Sequence, residues 1–131
     1  MKLLLDTHIL LWSLLDPARL TGKVASELEN PANELWLSPI TTWEILILVE
    51  KGRVVLDTDP STWIRDVLKK IPVRKAPINH EISIQSRSLN LSHEDPADRF
   101  LAATAMVYDL TLVTADERLL TADQYAVLPN K

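Results

Sequence analysis

Short apolar runs and stretches of helical periodicity alternate from one end of the chain to the other, the signature of an α/β domain with a largely parallel sheet. Lys2–Leu5 reads as a buried first strand and Ile9–Leu15 as a helix packed behind it. Thr21 is placed to cap a helix that runs through Glu29, because a hydroxyl there satisfies a free amide of the first turn; Asn30-Pro31 ends it. Leu35–Leu37 predicts a short strand, and Pro39 opens a helix that reaches about Glu50 and stops at Gly52. After a hairpin-like turn or short loop through Asp59-Pro60, the pattern predicts a helix over Ser61–Lys70, a brief strand at Val73 and a helix over His80–Leu89. Pro96 suits the first turn of a helix continuing to about Tyr108; Thr111–Val113 follows as a strand, and Tyr125–Val127 is the expected last strand. There is no internal repeat, low-complexity stretch or linker, and the eight prolines are scattered at element boundaries.

Composition narrows the chemistry. With 131 residues, 47 % hydrophobic and 24 % charged, the chain is sized for one domain, residues 1–131, with a real core. It has no cysteine, so any metal site must be built from oxygen or imidazole donors, which favours hard cations. No apolar run approaches the roughly 20 residues of a membrane span. Asp6 also interrupts what would be the apolar stretch of a signal peptide, and the expectation is a cytoplasmic protein with no membrane association. The net charge of −4 lends no support to nucleic-acid binding. It does not exclude it either: setting aside four of the 18 acids as a metal site leaves the rest equal in number to the 14 Lys and Arg.

Four acids stand in informative places. Asp6 follows Leu3-Leu4-Leu5 directly, a charge at the carboxyl end of an apolar strand, where parallel α/β sheets bind ligands; the alternative is the N-cap of the next helix. Glu44 is the only charge within residues 40–49, and its i−4 and i+4 neighbours, Ile40 and Leu48, put it on the apolar face expected to pack inward. A carboxylate there is costly unless paired or metal-bound. Asp98 lies in the first turn of the helix opened by Pro96, on the stripe continued by Leu101, Ala102 and Ala105, whereas Asp95 is better explained as that helix's N-cap. Asp116 follows Leu112-Val113-Thr114-Ala115 and repeats the placement of Asp6, with the same N-cap alternative.

Converging carboxylates repel and raise one another's pKa, a penalty that a divalent cation reverses. All-oxygen ligation suits Mg²⁺ or Mn²⁺, and phosphodiester hydrolysis is the reaction such equipment fits best. Thr7 and Thr114 are candidates to orient a water or a phosphate, with capping as the alternative; Arg99 is a candidate substrate contact or an ion-pair partner. His8 and His93 lie near the proposed ligands without a role that spacing assigns.

The segments Leu3–Trp12, Trp43–Ile45, Asp95–Ala105 and Leu112–Leu119 resemble the successive motifs of PIN domains, VapC-type toxins among them, in an order that covers nearly the whole chain. The resemblance implies a three-layer α/β/α fold around a mainly parallel sheet of four or five short strands. It implies that Asp6, Glu44, Asp98 and Asp116 match the family's acidic quartet as catalytic and metal-binding residues, and a Mg²⁺- or Mn²⁺-dependent endoribonuclease acting on RNA. It also implies a homodimer inhibited by a cognate antitoxin protein.

Arg65, Lys69, Lys70, Arg74 and Lys75 form a local basic cluster, and Lys51 with Arg53 a smaller one; each is either an RNA track or a solvated face. Trp12, Trp43 and Trp63 are available to stack bases or to pack. Apolar residues at 10–12 and 45–49 exceed one inward stripe, which leaves surface for another chain. A haloacid-dehalogenase-type phosphatase is disfavoured because His8 stands where its second Asp belongs. A catalytically silent PIN-like module that binds RNA or protein, and a plain interaction domain, stay open as alternatives.

Overall fold

In the computed structural model, which describes residues 1–131, the chain runs β1 (Lys2–Leu5), α1 (Thr7–Leu15), a 3₁₀ turn (Pro17–Arg19), α2 (Gly22–Glu29), β2 (Glu34–Leu37) and α3 (Pro39–Glu50). It continues through α4 (Pro60–Lys70), β3 (Val73–Lys75), α5 (His80–Ser88), α6 (Pro96–Tyr108), β4 (Thr111–Thr114), α7 (Glu117–Leu120) and β5 (Val127–Pro129). The five strands form one sheet in the order β3-β2-β1-β4-β5, and all four pairings are parallel.

The layers follow from the period of two along each strand. Leu3 and Leu5 of β1 and Val113 of β4 join one buried cluster with Ile9, Val24, Ile45 and Ile64, so α1 to α4 cover that face. Leu4 and Leu112 point the other way and pack with Ile82, Leu101, Ala102 and Leu119, so α5 to α7 cover the second. Strands buried on both sides read as unbroken apolar runs, as Leu3-Leu4-Leu5 does.

Caps explain most boundaries. The side chains of Thr21, Ser38, Asp59, Asn79 and Asp95 each accept an amide of the helix that follows, and proline opens α3, α4 and α6. Gly52 has φ +70°, a conformation that favours glycine, and lets the chain turn away after α3. The segment between α3 and α4 is a loop with no hairpin, since no strand pair is antiparallel.

One strand lies elsewhere than expected. The last runs over Val127–Pro129 and not Tyr125–Val127. Tyr125 is drawn off the sheet because its hydroxyl donates to the Leu119 carbonyl at 2.8 Å. Pro129 is tolerated because β5 is an edge strand, where a missing amide leaves no ladder partner unsatisfied. No helix is long and apolar enough to cross a membrane.

Candidate active site

The chain leaves β1 to build β2 and β3 on one side, then crosses back to lay β4 and β5 on the other. The order therefore reverses between β1 and β4, and the chain leaves their paired carboxyl ends toward opposite faces of the sheet, α1 to one and α7 to the other, the place where open α/β sheets bind ligands. A cleft of about 480 Å³ lies here. Asp6, Glu44, Asp98 and Asp116 all line it, together with Asp95, His8, Trp12, Arg53 and Arg118. Residues up to 112 positions apart in the sequence thus share one depression.

Asp6 is buried at the tip of β1. Its Oδ1 caps α1 by accepting the amides of His8 (2.8 Å) and Ile9 (3.4 Å), while its Oδ2 accepts the Thr114 hydroxyl at 2.5 Å. Thr114 in turn accepts the Asp116 amide at 3.0 Å, which ties the tips of β1 and β4 together. Asp116 caps α7 by accepting the Arg118 amide at 2.9 Å. At both strand tips the N-cap and the cleft carboxylate are one residue. The amides take Oδ1 of each carboxylate, while Oδ2 accepts the Thr114 hydroxyl at Asp6 and the Arg118 guanidinium at Asp116.

Glu44 sits differently from the expectation. The residues of α3 that are fully buried are Thr41 and Ile45, so Glu44 lies on the flank of the inward stripe, half-buried, with Leu48 beside it on the cleft wall. Its carboxylate accepts the hydroxyl of Thr7. Asp98, in the first turn of α6, has a side chain 14 % exposed and accepts His93 Nε2 at 2.9 Å.

Three candidates for substrate contact are placed away from the cleft surface. Thr7 and Thr114 are buried, and their hydroxyl protons go to Glu44 and Asp6, so they orient carboxylates. Arg99 is 5 % exposed. Its guanidinium donates to the carbonyls of Ser86 (2.8 Å), Leu89 (3.0 Å), Leu91 (3.4 Å) and His93 (3.1 Å), which corrects the expectation of a substrate contact: its donors are consumed inside the fold. Conversely, His8, Trp12, Arg53 and Arg118 line the cleft without having been assigned to it by spacing. Trp12 packs under Arg19, whose guanidinium carbon is 4.5 Å from the ring centroid. The one sequence signal for Arg118 was its position two residues after Asp116.

Crowding and burial leave their mark on protonation. Burial pushes Asp6, Glu44 and Asp98 up from their ordinary values, Asp98 to about 6. Neighbouring carboxylates add to this: Asp6 and Asp95 act on Glu44, and Asp95, Asp116 and Glu44 act on Asp98. Asp116 moves the other way, held down by the Arg118 hydrogen bond. A carboxyl group whose pKa is higher folded than unfolded contributes stability that is full below its unfolded value and is lost as pH rises through its folded value. For Asp98 that window runs from 3.8 to about 6, and is worth at most about 3 kcal/mol. Asp98→Asn should therefore flatten the loss of stability over this range, as read from urea midpoints at successive pH values; an unchanged slope would contradict the assignment.

The donor set is all oxygen with flanking imidazole, which fits a hard divalent cation and no thiophilic one. No three of these side chains stand close enough together to enclose an ion between them. Each carboxylate is held by its own neighbour: Thr114 on Asp6, Thr7 on Glu44, His93 on Asp98, Arg118 on Asp116.

Known proteins resemble this chain in sequence and in fold. The chain is 32 % identical over 117 residues to "Ribonuclease VapC22" of Mycobacterium tuberculosis, covering 88 % of each chain. Its fold matches VapBC2 from Rickettsia felis bound to a promoter DNA fragment, with a TM-score of 0.74, 16 % identity and 98 % of both chains covered. It also matches a toxin-antitoxin complex from Klebsiella pneumoniae, with a TM-score of 0.68 and 22 % identity over 98 % of this chain and 97 % of that one. The sequence profile of the PIN domain matches residues 3–125, nearly the whole chain, and the chain belongs to the PIN-domain family.

Proposed function

We propose that this protein is a Mg²⁺- or Mn²⁺-dependent endoribonuclease and the toxin of a toxin-antitoxin pair, with Asp6, Glu44, Asp98 and Asp116 as its metal-binding and catalytic residues. The observation that carries the reading is the gathering of these four acids, from β1, α3, α6 and the β4–α7 junction, into one crevice at the switch point of the sheet. Family membership and the ribonuclease relative support the activity; the toxin-antitoxin complexes among the structural matches support a cognate antitoxin as partner. A homodimer is part of the same reading, supported by the half-exposed Trp43 and the partly exposed apolar residues 46–49 of α3.

When bound, Mg²⁺ or Mn²⁺ supplies Lewis acidity toward a phosphodiester and a source of hydroxide at neutral pH. The protein's part is to supply the oxygen donors and to orient each of them. Thr114 and the α1 amides aim Asp6; Thr7 aims Glu44; His93 aims Asp98. Arg53, at the cleft wall, is placed to meet a phosphate outside the metal centre.

Purified protein should cut a mixed RNA pool in Mn²⁺ or Mg²⁺ and stop in EDTA. Its melting temperature should rise on adding Mn²⁺, and more at about pH 7.5 than at about pH 5.5, where Asp98 is mostly protonated. RNA retained but uncut under every metal condition favours the silent binding module instead.

A further inference from the structure

The acidic cleft contains a cation of its own. Arg118, in the first turn of α7, donates from Nε to Asp116 Oδ1 at 3.2 Å and from Nη2 to Asp116 Oδ2 at 2.9 Å. The same Nη2 stands 3.5 Å from Asp98 Oδ2. One guanidinium thus spans two of the four acids, one from α6 and one from the β4–α7 junction. These are the only side-chain hydrogen bonds it makes.

Arg99 is buried and fastened to four carbonyls, whereas the Arg118 side chain is 53 % exposed. A bidentate fork is geometrically specific, yet an exposed ion pair is worth little net energy because water and salt screen it. Such a side chain stabilises crowded carboxylates while remaining easy to dislodge. A divalent ion carries twice its charge and competes for the same oxygens.

We propose that Arg118 is a built-in counter-ion that bridges Asp98 and Asp116 in the metal-free protein and is displaced when the divalent cation binds. The proposal rests on the reading of the cleft as a metal site. It makes Arg118 a positioning residue that sets how much metal the protein needs, since every binding event must first break the fork.

Isothermal titration with Mn²⁺ alone, without RNA, tests it on the full chain. Arg118→Met should bind Mn²⁺ about tenfold more tightly than the parent, because it removes both a competitor and a like charge. Arg118→Lys should lie between the two, as a single ammonium cannot hold the fork. Arg118→Gln serves as a second neutral variant if the methionine protein does not fold. Equal or weaker binding by a folded neutral variant overturns the counter-ion role while leaving the metal site standing. No Mn²⁺ binding by the parent or by any variant overturns the metal-site reading itself.

Discussion

Asp6→Asn should yield a folded protein that is more stable than its parent near neutral pH in EDTA and cleaves RNA roughly a thousandfold more slowly in Mn²⁺. The amide can keep the contacts that Asp6 makes, with the Thr114 hydrogen bond reversed in direction. Its oxygen still accepts the His8 and Ile9 amides, and its Nδ2 replaces the carboxylate as partner of Thr114 by donating to that hydroxyl oxygen. What disappears is a charge that burial already disfavours. Removing it should raise the melting temperature by a few degrees, while the proposed metal site loses its most buried oxygen donor. Circular-dichroism melts and a gel-based cleavage assay read the two effects separately. A variant that is destabilised, or that retains activity, removes Asp6 from the centre of the site.

Arg99→Met should cost about 3–5 kcal/mol, or roughly 10–20 °C in melting temperature by calorimetry. Methionine fills a similar volume but donates nothing, so the carbonyls of Ser86, Leu89, Leu91 and His93 are left without their partner inside the fold. These carbonyls belong to the end of α5 and the segment leading to α6, the stretch that carries His93, Asp95 and Asp98. Their loosening should also weaken Mn²⁺ binding, although Arg99 touches no cleft carboxylate. A loss below about 1 kcal/mol would mean that water replaces the guanidinium at those carbonyls.

Arg99 and Arg118 stand in similar places along the chain and in different surroundings in the fold. Both follow an acid of the quartet closely, Arg99 by one residue and Arg118 by two, yet spacing suggested a substrate contact or ion pair for Arg99 alone. In the folded protein one is a buried clasp and the other a half-exposed counter-ion. Which carbonyls surround position 99 depends on how the 89–95 segment wraps α6, a matter of long-range packing that local spacing does not encode. The offset of the last strand has the same origin, because the Tyr125 hydroxyl found its acceptor in α7.

Asp6 and Asp116 carry another lesson. Their N-cap reading and their cleft reading looked like alternatives, yet a strand that ends at a helix start makes them one position. A residue there caps the helix with one oxygen and lines the cleft as well, its other oxygen held by Thr114 at Asp6 and by Arg118 at Asp116. Glu44 was legible as an unusual charge in an apolar helix but not as a flank residue. The inward stripe of α3 passes through Thr41 and Ile45, and the nearly all-round apolar character of that helix hid its orientation.

Local patterns along the chain determined the succession of strands and helices, their caps, and the fact that acids stand at strand ends, because capping and side-chain periodicity act over a few residues. The tertiary structure alone decided that β1 and β4 lie side by side, that Asp6 and Asp116 are therefore joined through Thr114, and that Arg118 faces inward to Asp98. Strand order is set by which apolar faces bury together across the whole molecule, and the electrostatics of the cleft exist only once that order is made.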